Sequence, residues 1–195
     1  MPETTGIVMA GVGGQGILLA THIAARAALA SGFDVKTNEV HGMAQRGGSV
    51  LAQIRFGRRV FSPLVPEGTA QVLASLERIE ALRFAGYLAP DGLAVVSSQA
   101  IIPVTVSSGK AQYPADAEQR LHSAFPKLAY IDAISAAENL GDARVANVIL
   151  LGAMSTALPL PRESWAEAIS QCVKPAFREV NLRAFDEGAA LARQE

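Results

Sequence analysis

Residues 11–16, GVGGQG, place glycine backbone where the chain leaves its first apolar stretch, TGIVMAG. Gly11, Gly13 and Gly16 satisfy the spacing G-x-G-x-x-G, with Gly14 and Gln15 inside it. Glycines after a strand let the backbone turn sharply and approach a phosphate. The helix that follows offers free N–H groups and the positive end of its dipole. A dinucleotide site also wants an acidic residue about 20 positions further on, for the ribose hydroxyls. Glu39 stands near that place. The turn therefore reads in three ways: a tight strand-to-helix connection, a general phosphate or anion site, or a nicotinamide or flavin nucleotide site.

A second glycine loop, HGMAQRGGSV, occupies residues 41–50. Arg46 precedes Gly47 and Gly48, so a guanidinium stands beside exposed backbone, which suits a carboxylate, a phosphate or an acidic residue of a partner. His41 can move protons near neutral pH, and Gln45 can both donate and accept. His41, Gln45, Arg46, Gly47 and Gly48 read as a partner-facing or shared active-site loop. They read equally as a loop packed on the first turn, with Arg46 holding a structural carboxylate. His41 and Arg46 are supporting candidates only, and no residue is assigned as catalytic. The second loop also crowds the place of an adenine behind Glu39, and no second mononucleotide half follows.

The elements that must position these loops alternate. A strand at residues 5–10, a helix closed by Gly32 and the strand FDVKTNEV form a βαβ unit, which predicts neighbouring parallel strands. VLAQIRFG predicts a strand, with RRVFSP returning as its hairpin partner through a turn near Gly57. AQVLASL predicts a strand, ERIEALRFAGYL a helix and LAVVSS a strand. Residues 99–114 are irregular or carry a weak strand. DAEQRLHSAF predicts a helix and LAYIDA a strand. The C-terminal third is helical: RVANVILLGAMSTAL is apolar nearly all round, RESWAEAISQCV is amphipathic, and Pro175 starts a last helix. The fold class is α/β with helices on both faces of a sheet. Residues 1–195 form a single domain, with Pro159 and Pro161 in a turn between helices.

Composition narrows the chemistry. Half of the residues are apolar and 18% are charged, a globular balance. Seventeen basic residues face eighteen acidic ones, so no global charge attracts nucleic acid or a membrane. Cys172, the single cysteine, forms no internal disulfide and cannot hold an iron–sulfur cluster, which needs about four thiolates. It reads as a packed thiol. The N-terminus has no secretory pattern, and the longest apolar run contains Asn147 and falls short of the roughly 20 residues of a membrane span. A cytoplasmic protein is expected. His22 and Arg26 share a helix face as a polar stripe. His122 reads as solvated, and Trp165 as a core or interface anchor. No metal-ligand spacing is present.

Taken together, GVGGQG and HGMAQRGGSV resemble the gamma-type subunit or domain of 2-oxoacid:ferredoxin oxidoreductases, and within it the small beta subunits of indolepyruvate oxidoreductases. VFSPLVPEGTAQVLASLERIEALR, LAVVSS, IIP and NVILLGA are similar too, so the resemblance runs in order over the whole chain. Gln71 departs from it, standing where the family often has an aspartate. The resemblance implies a three-layer α/β/α fold with a mixed, mainly parallel sheet. It implies an enzyme subunit that is inactive alone and binds no cofactor by itself. The complex would decarboxylate a 2-oxoacid, with an arylpyruvate such as indolepyruvate favoured, on thiamine diphosphate. Electrons would pass through iron–sulfur clusters to ferredoxin, and an acyl-coenzyme A would be released. The thiamine and cluster sites would belong to a large partner subunit. Gly11, Gly13, Gly14, Gln15 and Gly16 would serve a cofactor or brace the shared site.

Overall fold

The computed structural model describes residues 4–41, 47–102, 104–109 and 112–193. Its elements run β1 (Thr4–Val12), α1 (Ile17–Ala30), β2 (Asp34–His41), β3 (Ser49–Gly57), β4 (Ala70–Ser75), α2 (Arg78–Arg83) and β5 (Leu88–Ser97). There follow α3 (Val104–Ser107), α4 (Ala117–Ala124), β6 (Leu128–Ile131), α5 (Ala133–Asn139), α6 (Ala146–Ser155), α7 (Arg162–Cys172) and α8 (Arg178–Leu191). Short 3-10 turns lie at Ala85–Tyr87, Ala143–Val145 and Pro175–Phe177.

The described strands form one sheet in the order β2-β3-β1-β4-β5-β6. It is mixed and mainly parallel: β3 alone runs against its neighbours. Side chains alternate along the strands, so β1 serves two cores. Ile7 and Met9 face α1, α6, α7 and α8, whereas Val8 faces the side covered by α2 and α4. The result is three layers, helices on sheet on helices.

The predicted adjacency of β1 and β2 is not found, because β3 lies between them. The reason is burial. β3 carries Val50, Ala52, Ile54 and Phe56 on one face and is almost wholly buried, while β2 carries Asp34, Lys36, Asn38 and Glu39 and is half-buried to exposed. The polar strand takes the edge and the apolar one the interior. RRVFSP forms no strand, since both edges of β3 are already paired. Its backbone is held instead by side chains: Asp34 Oδ2 accepts from the Val60 N–H at 2.8 Å, and Arg55 donates to the Ser62 carbonyl at 3.3 Å. β5 starts five residues before LAVVSS, at Leu88. Among the described residues of 99–114 there is the helical turn α3 and no strand. α5, unpredicted, is opened by Asp132, whose Oδ1 accepts from the Ser135 N–H.

The C-terminal helices lock onto the sheet through glycine. Gly152 of α6 and Gly188 of α8 face each other so closely that a Cβ on either would meet backbone of the other helix, Phe185 at Gly152 and Ile149 at Gly188. Trp165 is fully buried beside them, its ring 5.4 Å from that of Phe185. Backbone cannot yield as a side-chain tip does, so Gly152→Ala or Gly188→Ala is expected to lower stability by about 3 kcal/mol or more, read as an earlier urea midpoint at unchanged m-value.

Candidate functional site

Because α1 leaves β1 toward one face and α2 leaves β4 toward the other, a crevice opens at the carboxyl ends of these neighbouring strands. In open α/β sheets this switch point is where ligands gather. The antiparallel β3 begins at the same edge, so both glycine loops meet there. Their junction is made of backbone: the Gly13 N–H donates to the Gly48 carbonyl at 2.8 Å, and the Gly47 N–H donates to the Gly13 carbonyl at 3.2 Å. This pair extends the β1–β3 ladder beyond Val12 and Ser49.

Within the first turn the left-handed residues are Gly14 (φ 107°) and Gly16 (φ 81°). Gly14 faces open space, whereas a Cβ on Gly16 would strike the Asn147 amide at 2.5 Å. Gly11 is closed from the inside by Gln15, Ile17 and Leu76. No described side chain caps α1, and its first turn holds no acidic residue, so the N–H groups there remain open to an anion. They border a cleft of about 430 Å³ lined by Val12, Gly13, Gly14, Gly16, Ile17, Leu18 and Val50. The lining is apolar apart from glycine backbone, and Leu18 stands 46% exposed at its rim.

Gln15 is the latch of the turn. Its Oε1 accepts from the Val12 N–H at 2.7 Å. Its Nε2 donates to the Leu76 carbonyl and to Gln99 Oε1, both at 2.7 Å. Both amide hydrogens are thus engaged within the chain, tying the ends of β1, β4 and β5 together. Asn147, buried on α6, donates to the Gly16 carbonyl at 3.1 Å.

A buried carboxylate organises the other wall. Glu77, 2% exposed, caps α2: its Oε2 accepts from the N–H groups of Ile79 (2.7 Å) and Glu80 (2.9 Å). Its Oε1 accepts from the Tyr113 hydroxyl at 2.8 Å and the Ile101 N–H at 3.3 Å. Arg78 donates to the same Tyr113 hydroxyl at 2.9 Å and lies over its ring. Burial pushes the Tyr113 phenol up to about 12; the Arg78 hydrogen bond opposes this and the Glu77 carboxylate adds to it. Glu80 is buried too, accepting from the Ser49 hydroxyl and from Arg83 Nε.

Of the residues singled out from sequence, the structure brings Gly11, Gly13, Gly14, Gln15, Gly16, Gly47 and Gly48 to this one edge. The backbone of His41 ends β2 there. Gln45 and Arg46 lie outside the described residues. His22 and Arg26 are exposed on α1, with Arg26 bonded to Gln171 Oε1 at 2.9 Å. His122 is exposed. Cys172 is half-buried against the core, and burial raises its thiol pKa. Glu77, Glu80, Gln99, Tyr113 and Asn147 escaped the sequence reading. A signal existed for three of them: Glu77 and Glu80, three apart at a helix start, have the spacing of a capping box. Asn147 in an apolar helix was another.

Residues 6–191 match the family described as pyruvate ferredoxin/flavodoxin oxidoreductase. The chain belongs to this family. It is 43% identical to indolepyruvate oxidoreductase subunit IorB of Thermococcus kodakarensis over 193 residues, covering 96% of each chain. Its fold is similar to that of the gamma subunit of a keto/oxoacid ferredoxin oxidoreductase from Geobacter sulfurreducens, with a TM-score of 0.73, 24% identity and coverage of 98% and 97%. It also resembles part of a 2-oxoglutarate:ferredoxin oxidoreductase from Magnetococcus marinus, with a TM-score of 0.73 and 22% identity, spanning 100% of this chain and 32% of that one.

As a member of the pyruvate ferredoxin/flavodoxin oxidoreductase family, the chain is the small subunit of a 2-oxoacid ferredoxin oxidoreductase. A free-standing nucleotide reductase is not supported. Glu39 sits on the edge strand, and β3 separates it from the glycine turn by a full strand, so it is not on the strand beside β1 as a ribose contact requires. Gln71 keeps a polar contact despite its departure from aspartate, its Oε1 accepting from the Gly6 N–H.

Two outcomes follow from this geometry. Gln15→Met leaves the Val12 N–H and the Leu76 carbonyl unpaired, and is expected to destabilise the chain by about 2–4 kcal/mol in urea unfolding. The raised Tyr113 pKa makes the protonated phenol the stabilising form. Its contribution is complete below pH 10, the ordinary value, and is lost as pH rises toward 12. Tyr113→Phe should therefore delete the late-ionising component of an absorbance titration at alkaline pH.

Proposed function

We propose that this chain is the small subunit of an arylpyruvate oxidoreductase, with indolepyruvate as the favoured substrate. It works with a large subunit that carries thiamine diphosphate and the iron–sulfur clusters. The complex decarboxylates the 2-oxoacid, passes two electrons to ferredoxin and releases an acyl-coenzyme A, in the cytoplasm. The observation that carries this reading is the backbone junction of Gly13 with Gly47 and Gly48. It makes one surface of the two motif loops at the switch point of the sheet.

Thiamine diphosphate supplies the carbanion chemistry when bound in the large subunit. This chain contributes position and charge. The open N–H groups of the α1 first turn, reached past Gly14, receive an anionic group of substrate or coenzyme. The apolar lining from Ile17, Leu18 and Val50 keeps water from that side of the shared site. Arg46, helped by His41 and Gln45, contacts either the substrate side of the complex or an acidic residue of the large subunit, through paired hydrogen bonds that a lysine cannot reproduce.

Purified alone, the chain is expected to be colourless and silent. Co-expressed with the large subunit, it should support viologen reduction by indolepyruvate, and robust turnover without that partner would refute the subunit role proposed here. In the complex, Arg46→Lys should weaken transition-state stabilisation or subunit affinity by about 1–3 kcal/mol, with little change in the melting temperature of the isolated chain. A large thermal loss with normal kinetics would instead assign Arg46 to the fold.

A further inference from the structure

Glu80 is a carboxylate kept almost out of water, 6% exposed on a two-turn helix. Burying such a group is unfavourable, and an apolar residue of the same size is often as stabilising or more so. Its place therefore calls for a reason beyond stability. The helix that bears it is fixed by the Glu77 cap, so the carboxylate is held in one position. One partner, Arg83, reaches it from the surface at 3.1 Å. The other is the Ser49 hydroxyl, from the opposite end of the crevice.

Ser49 is the first residue of β3 and follows Gly48 directly. The Gly48 carbonyl takes the Gly13 N–H, and the preceding Gly47 N–H returns to the Gly13 carbonyl. Through the Ser49 hydroxyl, the peptide link from Ser49 to Gly48 and the two backbone bonds, α2 on one face of the sheet is thus connected to the glycine turn that starts α1 on the other. Glycine backbone resists displacement weakly, so beyond the last ladder pair, Val12 with Ser49, this junction would fray from its partner without a side-chain anchor. Ser49 supplies the nearest anchor, and Glu80 is what it is anchored to.

We propose that Glu80 is a positioning residue for the oxidoreductase reaction: through Ser49 it fixes the Gly47–Gly48 backbone against Gly13, and so holds the two loops in the register that the shared site needs. Neither side chain touches substrate. The inference rests on the reading that these loops line that site.

The test uses the co-purified complex of the two subunits, with kcat and KM for the 2-oxoacid, subunit affinity and thermal melting measured side by side. Ser49→Ala and Glu80→Gln are each expected to lower kcat/KM about tenfold, the scale of one charge-assisted hydrogen bond. The double variant should fall no further than the worse single one, because both remove the same link. Ser49→Thr, which keeps the hydroxyl, should recover most of the rate. Lower melting temperatures with unchanged kinetics of the assembled complex, additive losses in the double variant, or no recovery with threonine would each overturn the proposal. Arg46→Lys in the same series separates the two levels. If it alters the kinetics while Ser49→Ala does not, the positioning role fails and the shared-site reading stands. If neither alters them, the shared-site reading itself fails.

Discussion

Two backbone hydrogen bonds, from Gly13 to Gly48 and from Gly47 to Gly13, hold the two glycine loops together at one edge of the sheet. They form because the chain doubles back after β2 and inserts β3 beside β1. Had β2 paired with β1 directly, the second loop would have led away from β1 instead of entering a ladder with it. The single antiparallel strand is thus what converts two separated sequence motifs into one surface. Glycine at 13, 47 and 48 keeps the junction itself free of side chains, so peptide groups make it.

Polar groups buried around the junction are the means of holding it. Gln15, Glu77 and Glu80 lie under the loops and direct their bonds to strand ends and to helix N–H groups. In a low-dielectric setting a satisfied polar network fixes one arrangement more sharply than apolar packing does. The division of labour is clear along β1 and its flanks. Ile7, Val8 and Met9 supply the driving force of burial, whereas the residues beyond Val12 determine geometry.

The sequence was most readable where burial and periodicity agree. TGIVMAG, AQVLASL and the apolar helix from Val145 are long apolar runs with turn residues at their ends, and each became the element expected of it. Strand adjacency was harder, because the βαβ rule takes no account of an apolar hairpin partner that outcompetes a polar strand for the interior. The contrast between DVKTNEVH and SVLAQIRFG was on the page, but only the sheet order reveals what it decides. The glycine turn was legible as a turn. That Gln15 looks inward was not, since an amide four residues into a glycine motif gives no local sign of its partners Leu76 and Gln99, more than sixty positions away. Hydrogen bonds set up by distant loops, such as that from the Tyr113 hydroxyl to Glu77, share that difficulty.

The contact between Gly152 and Gly188 has a mechanical consequence. Helices that slide past one another do so on a layer of side chains that can change rotamer. Where backbone rests on backbone there is no such layer, so α6 and α8 form one rigid lever. The near end of that lever carries Asn147, whose amide grips the Gly16 carbonyl. Motion at the glycine turn is therefore geared to the whole C-terminal pair.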